Sequence, residues 1–177
     1  MSVVPYQPEN IQEPSELVAA IRSRRGGTLL NLDRVLLHSP PFAAGWNNFL
    51  SKVRSNLELP AQLRELAICT VAILNEAEYE FIQHAPEFLR AGGSRGQLNK
   101  LQQIDHLTPN SLLFSETEKA VIQLSTEMTR SVKVAEATMS TVSDALQNDR
   151  HLVELIGVIA TYNMVSRYLV ALGIEPE

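Results

Sequence analysis

The chain has 177 residues, 45% hydrophobic and 20% charged, enough for a packed core and unlike a disordered polypeptide. Lys plus Arg number 15 and Asp plus Glu 20, so the formal net charge is −5 and the basic excess of a nucleic-acid binder is missing. One cysteine, Cys69, excludes an internal disulfide framework, a Cys-x-x-Cys redox pair and a zinc finger or ribbon.

Residues 1–13 read as an N-terminal arm, with Pro5 and Pro8 in it and Pro14 just beyond. The arm either frays or straps a neighbouring subunit, where Val3, Val4 and Tyr6 would find cover. It lacks a basic n-region and an apolar h-region, so a cytoplasmic location is expected. Pro14-Ser15-Glu16 opens a helix through Leu17, Val18 and Ile21 that closes at Gly26-Gly27. The arginines before that close, Arg22, Arg24 and Arg25, read as a solvated helix end favoured by the C-terminal dipole, rather than as a phosphate nest. Asn31 and Arg34 start a short helix ending near His38. Pro40-Pro41 breaks the chain, and Phe42–Leu57 carries Phe42, Trp46, Phe49, Leu50 and Val53 at helical spacing.

Pro60 stands where a helix N1 proline would stand. Leu63–Leu74 is apolar nearly all round, which predicts a buried central helix. Asn75 with Glu78 matches a capping box for the next helix, which runs to Ala91 and stops at Gly92-Gly93. Ser94 with Gln97 is another capping pair. Pro109 and Asn110 fall in a loop. Ser115 with Glu118 opens a helix to about Arg130, Val134–Leu146 forms another, and the last runs from Asn148-Asp149 to Gly173. No alternating strand or hairpin dipeptide occurs. The prediction is one all-α domain over residues 1–177.

The longest charge-free stretch of the last helix, Leu155–Ser166, has 12 residues, whereas a bilayer span needs about 20, so no membrane association is expected. Leu63–Leu74 and Leu152–Leu172 are too apolar to have a wet face. Either the monomer buries them or part of that surface meets another copy; a homo-oligomer is expected.

The chemistry-bearing residues cluster between Arg64 and His84. Glu65 lies in an apolar helix, where a carboxylate is costly unless paired or sharing a proton. It is either an ion-pair partner of Arg64 or of a neighbouring chain, or a carboxyl of raised pKa that moves protons. Glu80 and His84 are one turn apart and share a helix face, so the carboxylate can orient the imidazole. Tyr79 beside them offers a phenolic hydrogen bond. Glu65, Glu80 and His84 would also supply three metal ligands, but no second histidine sits at ligand spacing, so no metal is expected.

The segments Leu59-Pro60-Ala61-Gln62-Leu63-Arg64-Glu65-Leu66, Asn75, Glu78-Tyr79-Glu80-Phe81-Ile82-Gln83-His84 and Ala91-Gly92-Gly93-Ser94 occur in an order and spacing that carry a resemblance. They resemble the carboxymuconolactone decarboxylase family, of the alkylhydroperoxidase D-like superfamily, over roughly residues 42–104. The ending Tyr162-Asn163-Met164-Val165-Ser166-Arg167 is similar to longer members. The redox branch of that superfamily carries Glu-x11-Cys-x-His-Cys-x3-His. Laid on this chain, the acid falls on Glu65 and the last base on His84, while Ala77, Tyr79 and Glu80 stand where the cysteines and middle histidine would be. Cys69 replaces neither sulfur, since it lies inside the apolar helix.

The cysteine-free branch implies cofactor-free decarboxylation of a small carboxylated lactone or related organic acid. Under that resemblance His84 is the general acid/base, Glu80 orients it, Glu65 shuttles or repels charge, and Tyr79 meets an oxyanion. A cation must take the substrate carboxylate: Arg167, Arg130 or Arg64, with Arg167, Tyr162 and Asn163 favoured because they interrupt an apolar helix. The alternative for those three is inter-helix hydrogen bonding. The resemblance further implies dimers built into trimers or hexamers. The rival readings are a peroxide-reducing protein of the same superfamily and a non-catalytic oligomeric binding module.

Overall fold

The computed structural model describes residues 2–104 and 112–177; the expected loop at Pro109 and Asn110 lies outside them. Among the described residues there are nine α-helices and no strand, as the sequence predicts. They are α1 (Ser15–Arg24), α2 (Asn31–Leu36), α3 (Pro40–Ser55), α4 (Ala61–Leu74), α5 (Glu78–Arg90), α6 (Arg95–Leu101), α7 (Glu116–Ser131), α8 (Glu136–Leu146) and α9 (Asp149–Leu172). The chain divides into two compact units, Met1–Leu57 with Ala171–Glu177, and Glu58–Val170.

In the first unit α1 and α2 pack on α3. Pro40 and Pro41 do not precede α3, as expected, but form its first turn, where their missing N–H groups break no helical bond. Gly26 takes φ 76° after α1, and Gly27 N–H closes the helix on Arg22 O at 2.8 Å. The arginine end is not solvated. Arg25 Nε donates to buried Asp33 at 3.0 Å, and Arg24 Nε donates to Asn47 Oδ1 at 2.6 Å. Asp33 also accepts Leu30 N–H at the start of α2, so one buried carboxylate caps a helix and gathers two guanidinium groups.

The arm is laced to its own unit. Val3 N–H donates to Leu172 O at 2.8 Å, Glu175 N–H to the Tyr6 hydroxyl at 3.1 Å, and Arg34 Nε to Gln7 O at 2.6 Å. His38 Nε2 lies 2.7 Å from Pro5 O, and the Arg34 guanidinium sits 5.2 Å over the Tyr6 ring. Fraying is therefore not its state.

In the second unit α4 is central: α5, α6 and α7 pack on it, and α8 packs on α7. Every residue from Glu65 to Ala72 is buried, which explains a helix apolar on all sides. Pro60 is its N-cap rather than its first residue. The expected Asn75 cap of α5 is corrected. Asn75 closes α4, and Ala77 precedes α5 with no side-chain cap. Glu76 takes φ 53°, and Ala77 N–H and Glu76 N–H return to Ala72 O and Ile73 O. This Schellman turn reverses the chain within three residues and leaves no extended position for an Asn cap.

The same device ends α5. Gly92 takes φ 105°, and Gly93 N–H bonds Phe88 O at 2.9 Å. The Ser94/Gln97 and Ser115/Glu118 capping boxes form as expected. Glu118 additionally accepts from Gln62 at 3.0 Å and Gln97 at 2.9 Å, tying α4, α6 and α7 together. Helix α9 is, by length and composition alone, long and apolar enough to cross a membrane. Its buried face carries Leu155, Val158, Ile159, Tyr162, Val165 and Ser166.

Candidate active site

The second unit holds a buried polar cluster assembled from α4, α5 and α9. Glu65 comes from the central helix, Glu80 and His84 from α5, and Tyr162 and Ser166 from α9; all five are buried. Each pair on a helix is four residues apart, so α5 and α9 each present one strip.

The strongest contact is His84 Nδ1 to Glu65 Oε2, 2.7 Å. The other oxygen of Glu65 accepts Arg64 Nε at 3.1 Å. Burial pushes the Glu65 carboxyl up, but the hydrogen bond and charge of His84, then those of Arg64, outweigh it and hold the carboxyl below its ordinary value. An ionised carboxylate only accepts, so Nδ1 of His84 carries the hydrogen of this contact. The Tyr162 ring meets the imidazole edge-to-face, with centroids 4.9 Å apart at 87°, and fixes its plane.

Beside this pair, Ser166 Oγ donates to Glu80 Oε1 at 2.9 Å. Expectation gave Glu80 the task of orienting His84; the Nδ1 contact goes to Glu65 across two helices. Tyr79 is buried, but it lies about 140° around α5 from His84. Tyr162 and Asn163, expected together, diverge. Asn163 faces the ends of α4 and α7: its Oδ1 accepts Asn75 Nδ2 at 3.1 Å, and its Nδ2 donates to Thr129 Oγ1 at 3.0 Å. Arg167 is exposed on that second strip, its Nη1 donating to Asn163 Oδ1 at 2.6 Å and Asn163 O at 2.9 Å.

Sequence reasoning missed Ser166 as the donor to Glu80 and Thr129 as a partner of Asn163. Ser166 was detectable in principle, since it repeats from Tyr162 with the spacing that joins Glu80 to His84. Among the described residues no group of three or more His, Cys, Asp and Glu side chains is arranged to hold a metal ion.

Residues 40–108 match the model of the carboxymuconolactone decarboxylase family. That segment contains Glu65, Ala77, Glu80 and His84. Two solved structures share the fold. An uncharacterized peroxidase-related protein from Silicibacter sp. TM1040 is 16% identical, with TM-score 0.79 over 99% of this chain and 90% of that one. The debrominase Bmp8, as a cysteine-to-alanine variant in complex with 2,3,4-tribromopyrrole, is 14% identical, with TM-score 0.78 over 100% of this chain and 94% of that one. The shared architecture is all-helical among the described residues. No curated protein matches the chain in sequence.

Cys69 lies one turn after Glu65 in α4 and is fully buried. Burial, then the negative charges of Glu65 and Glu80, push its thiol far above the ordinary value, so almost no thiolate forms at neutral pH. Aromatic disulfide reagents should therefore leave the native protein unlabelled at pH 8 and label one thiol per chain in denaturant. Stoichiometric labelling of the native protein within minutes would contradict the burial.

Proposed function

We propose that the chain is a cofactor-independent proton-transfer enzyme of the lyase type, acting on a small carboxylated lactone or related organic acid. The observation that carries the proposal is the 2.7 Å Glu65–His84 contact at a buried site whose redox positions hold Ala77 and Glu80. Glu65 sets the tautomer and orientation of His84, and Arg64 holds Glu65 in its ionised form. In the proposed step the C–C bond to the substrate carboxylate breaks and carbon dioxide leaves. The electron pair passes into the conjugated carbonyl, and His84 in its imidazolium form delivers the Nε2 proton to carbon and is reprotonated there from water. Arg167, held at Nη1 by Asn163, is the proposed partner of a substrate carboxylate. The proposed setting is a cytoplasmic homo-oligomer, with exposed Val153, Met164 and Val170 of α9 in a subunit contact.

The test is carbon dioxide release from a panel of small carboxylated lactones. His84→Gln should lower turnover by about 100-fold or more, the usual loss for a general acid/base. Cys69→Ser should leave it unchanged. Full activity in His84→Gln would overturn the role. Peroxide consumption that disappears in Cys69→Ser would instead establish a thiol-dependent, peroxide-reducing activity.

A further inference from the structure

We propose that the groove between α5 and α6 is a binding site for a small amphipathic carboxylate. The inference is independent of the reaction proposed above. The groove encloses about 450 Å³, within the range of small-ligand sites. Ile82, Pro86 and Leu89 of α5 and Leu98 of α6 give it apolar walls. Ile82 is 45% exposed, a large apolar side chain left open to water at the groove. Arg95 and Asn99 supply the polar end.

Two observations select an anionic occupant with an apolar body. First, among the described residues no group bonds or ion-pairs with the Arg95 guanidinium, whereas those of Arg24, Arg25, Arg34 and Arg64 are all engaged with carboxylates. Its planar fork is thus available for a bidentate carboxylate. Second, no acidic residue lines the groove among the described residues, although the chain carries a net charge of −5. A neutral apolar molecule would leave the guanidinium unused, and an inorganic anion would leave the apolar walls uncovered. A monocarboxylate with a short hydrocarbon tail satisfies both ends at once.

The probe pair is octanoate and octan-1-ol, which share a tail length and differ in the head group. Both are titrated into the isotopically labelled full chain and followed by amide NMR shifts. Octanoate should shift amides of residues 82–99 and bind about tenfold more tightly than octan-1-ol, the scale of one charge-assisted contact at a partly exposed site. Arg95→Gln should remove that preference while keeping the native spectrum. Ile82→Glu, at a half-exposed position, should abolish octanoate binding by placing a like charge in the wall. Equal binding of the two probes, shifts confined to other helices, or Arg95→Gln behaving as the parent would overturn the proposal. Broadening of the groove signals that grows with protein concentration before any probe is added would overturn it too, by giving the groove to a second copy.

Discussion

Gly93→Ala should destabilise the protein by about 3 kcal/mol, read as a fall in the urea midpoint at unchanged slope. A Cβ on Gly93 would stand 2.2 Å from Phe88 Cε1 and 2.4 Å from Cζ, far inside van der Waals contact. Phe88 is fully buried, so its ring cannot swing into solvent to make room. Nor can the backbone retreat, because Gly93 N–H is bonded to Phe88 O and terminates α5. The neighbouring Gly92→Ala isolates a different cause. Its nearest foreign atom is Gln62 Oε1 at 3.6 Å, an ordinary contact, so only the strain of φ 105° remains, about 1 kcal/mol. If Gly92→Ala proves the more damaging, the close approach to Phe88 is not what requires glycine at the end of α5.

Glu65→Gln should also cost about 3 kcal/mol at neutral pH, since removing one partner of a buried ion pair leaves the others uncompensated. Gln keeps one acceptor oxygen and turns the other into a donor, so either His84, at 2.7 Å, or Arg64, at 3.1 Å, loses its acceptor and both lose the opposing charge. The pH dependence separates this from a packing defect. The Glu65 carboxyl lies below its ordinary value in the fold, so the unfolded chain takes up the proton first as pH falls. The contribution of Glu65 is therefore complete above the unfolded value, 4.5, and is lost as pH falls through the folded value. The parent and Glu65→Gln curves should be widely separated at pH 7 and converge in acid. Parallel curves down to pH 3 would show that the carboxylate charge is not what stabilises the cluster.

The α-helical class and most helix limits were legible because periodicity, paired glycines and two capping boxes act locally. Ser94/Gln97 and Ser115/Glu118 form as the sequence suggests, since each partner lies within one turn of the other. Asn75 misled because the Asn-x-x-Glu spacing is common to a cap and a chain reversal. The choice was made by Glu76 adopting φ 53°, a conformation that residue type does not announce. At the site, Glu65 and His84 were legible as unusual residues but not as partners, because 19 positions and a helix reversal separate them. The division of α9 into two strips was hidden for a related reason. Tyr162 and Asn163 are adjacent in sequence but about 100° apart around a helix, so adjacency suggested one site where packing makes two.

Asn163 spends its whole hydrogen-bonding capacity inside the fold. Its two amide hydrogens go to Thr129 Oγ1 and Ile159 O, and its carbonyl oxygen accepts from both Asn75 and Arg167. Such a saturated group has no spare valence with which to absorb a change at its neighbours. An exchange at position 75 or 129 that removes one partner strands a polar atom, and only a compensating exchange at 163 restores the balance. In related chains these three positions should therefore drift as a set, and their joint identity would record whether the guanidinium of Arg167 is still being aimed.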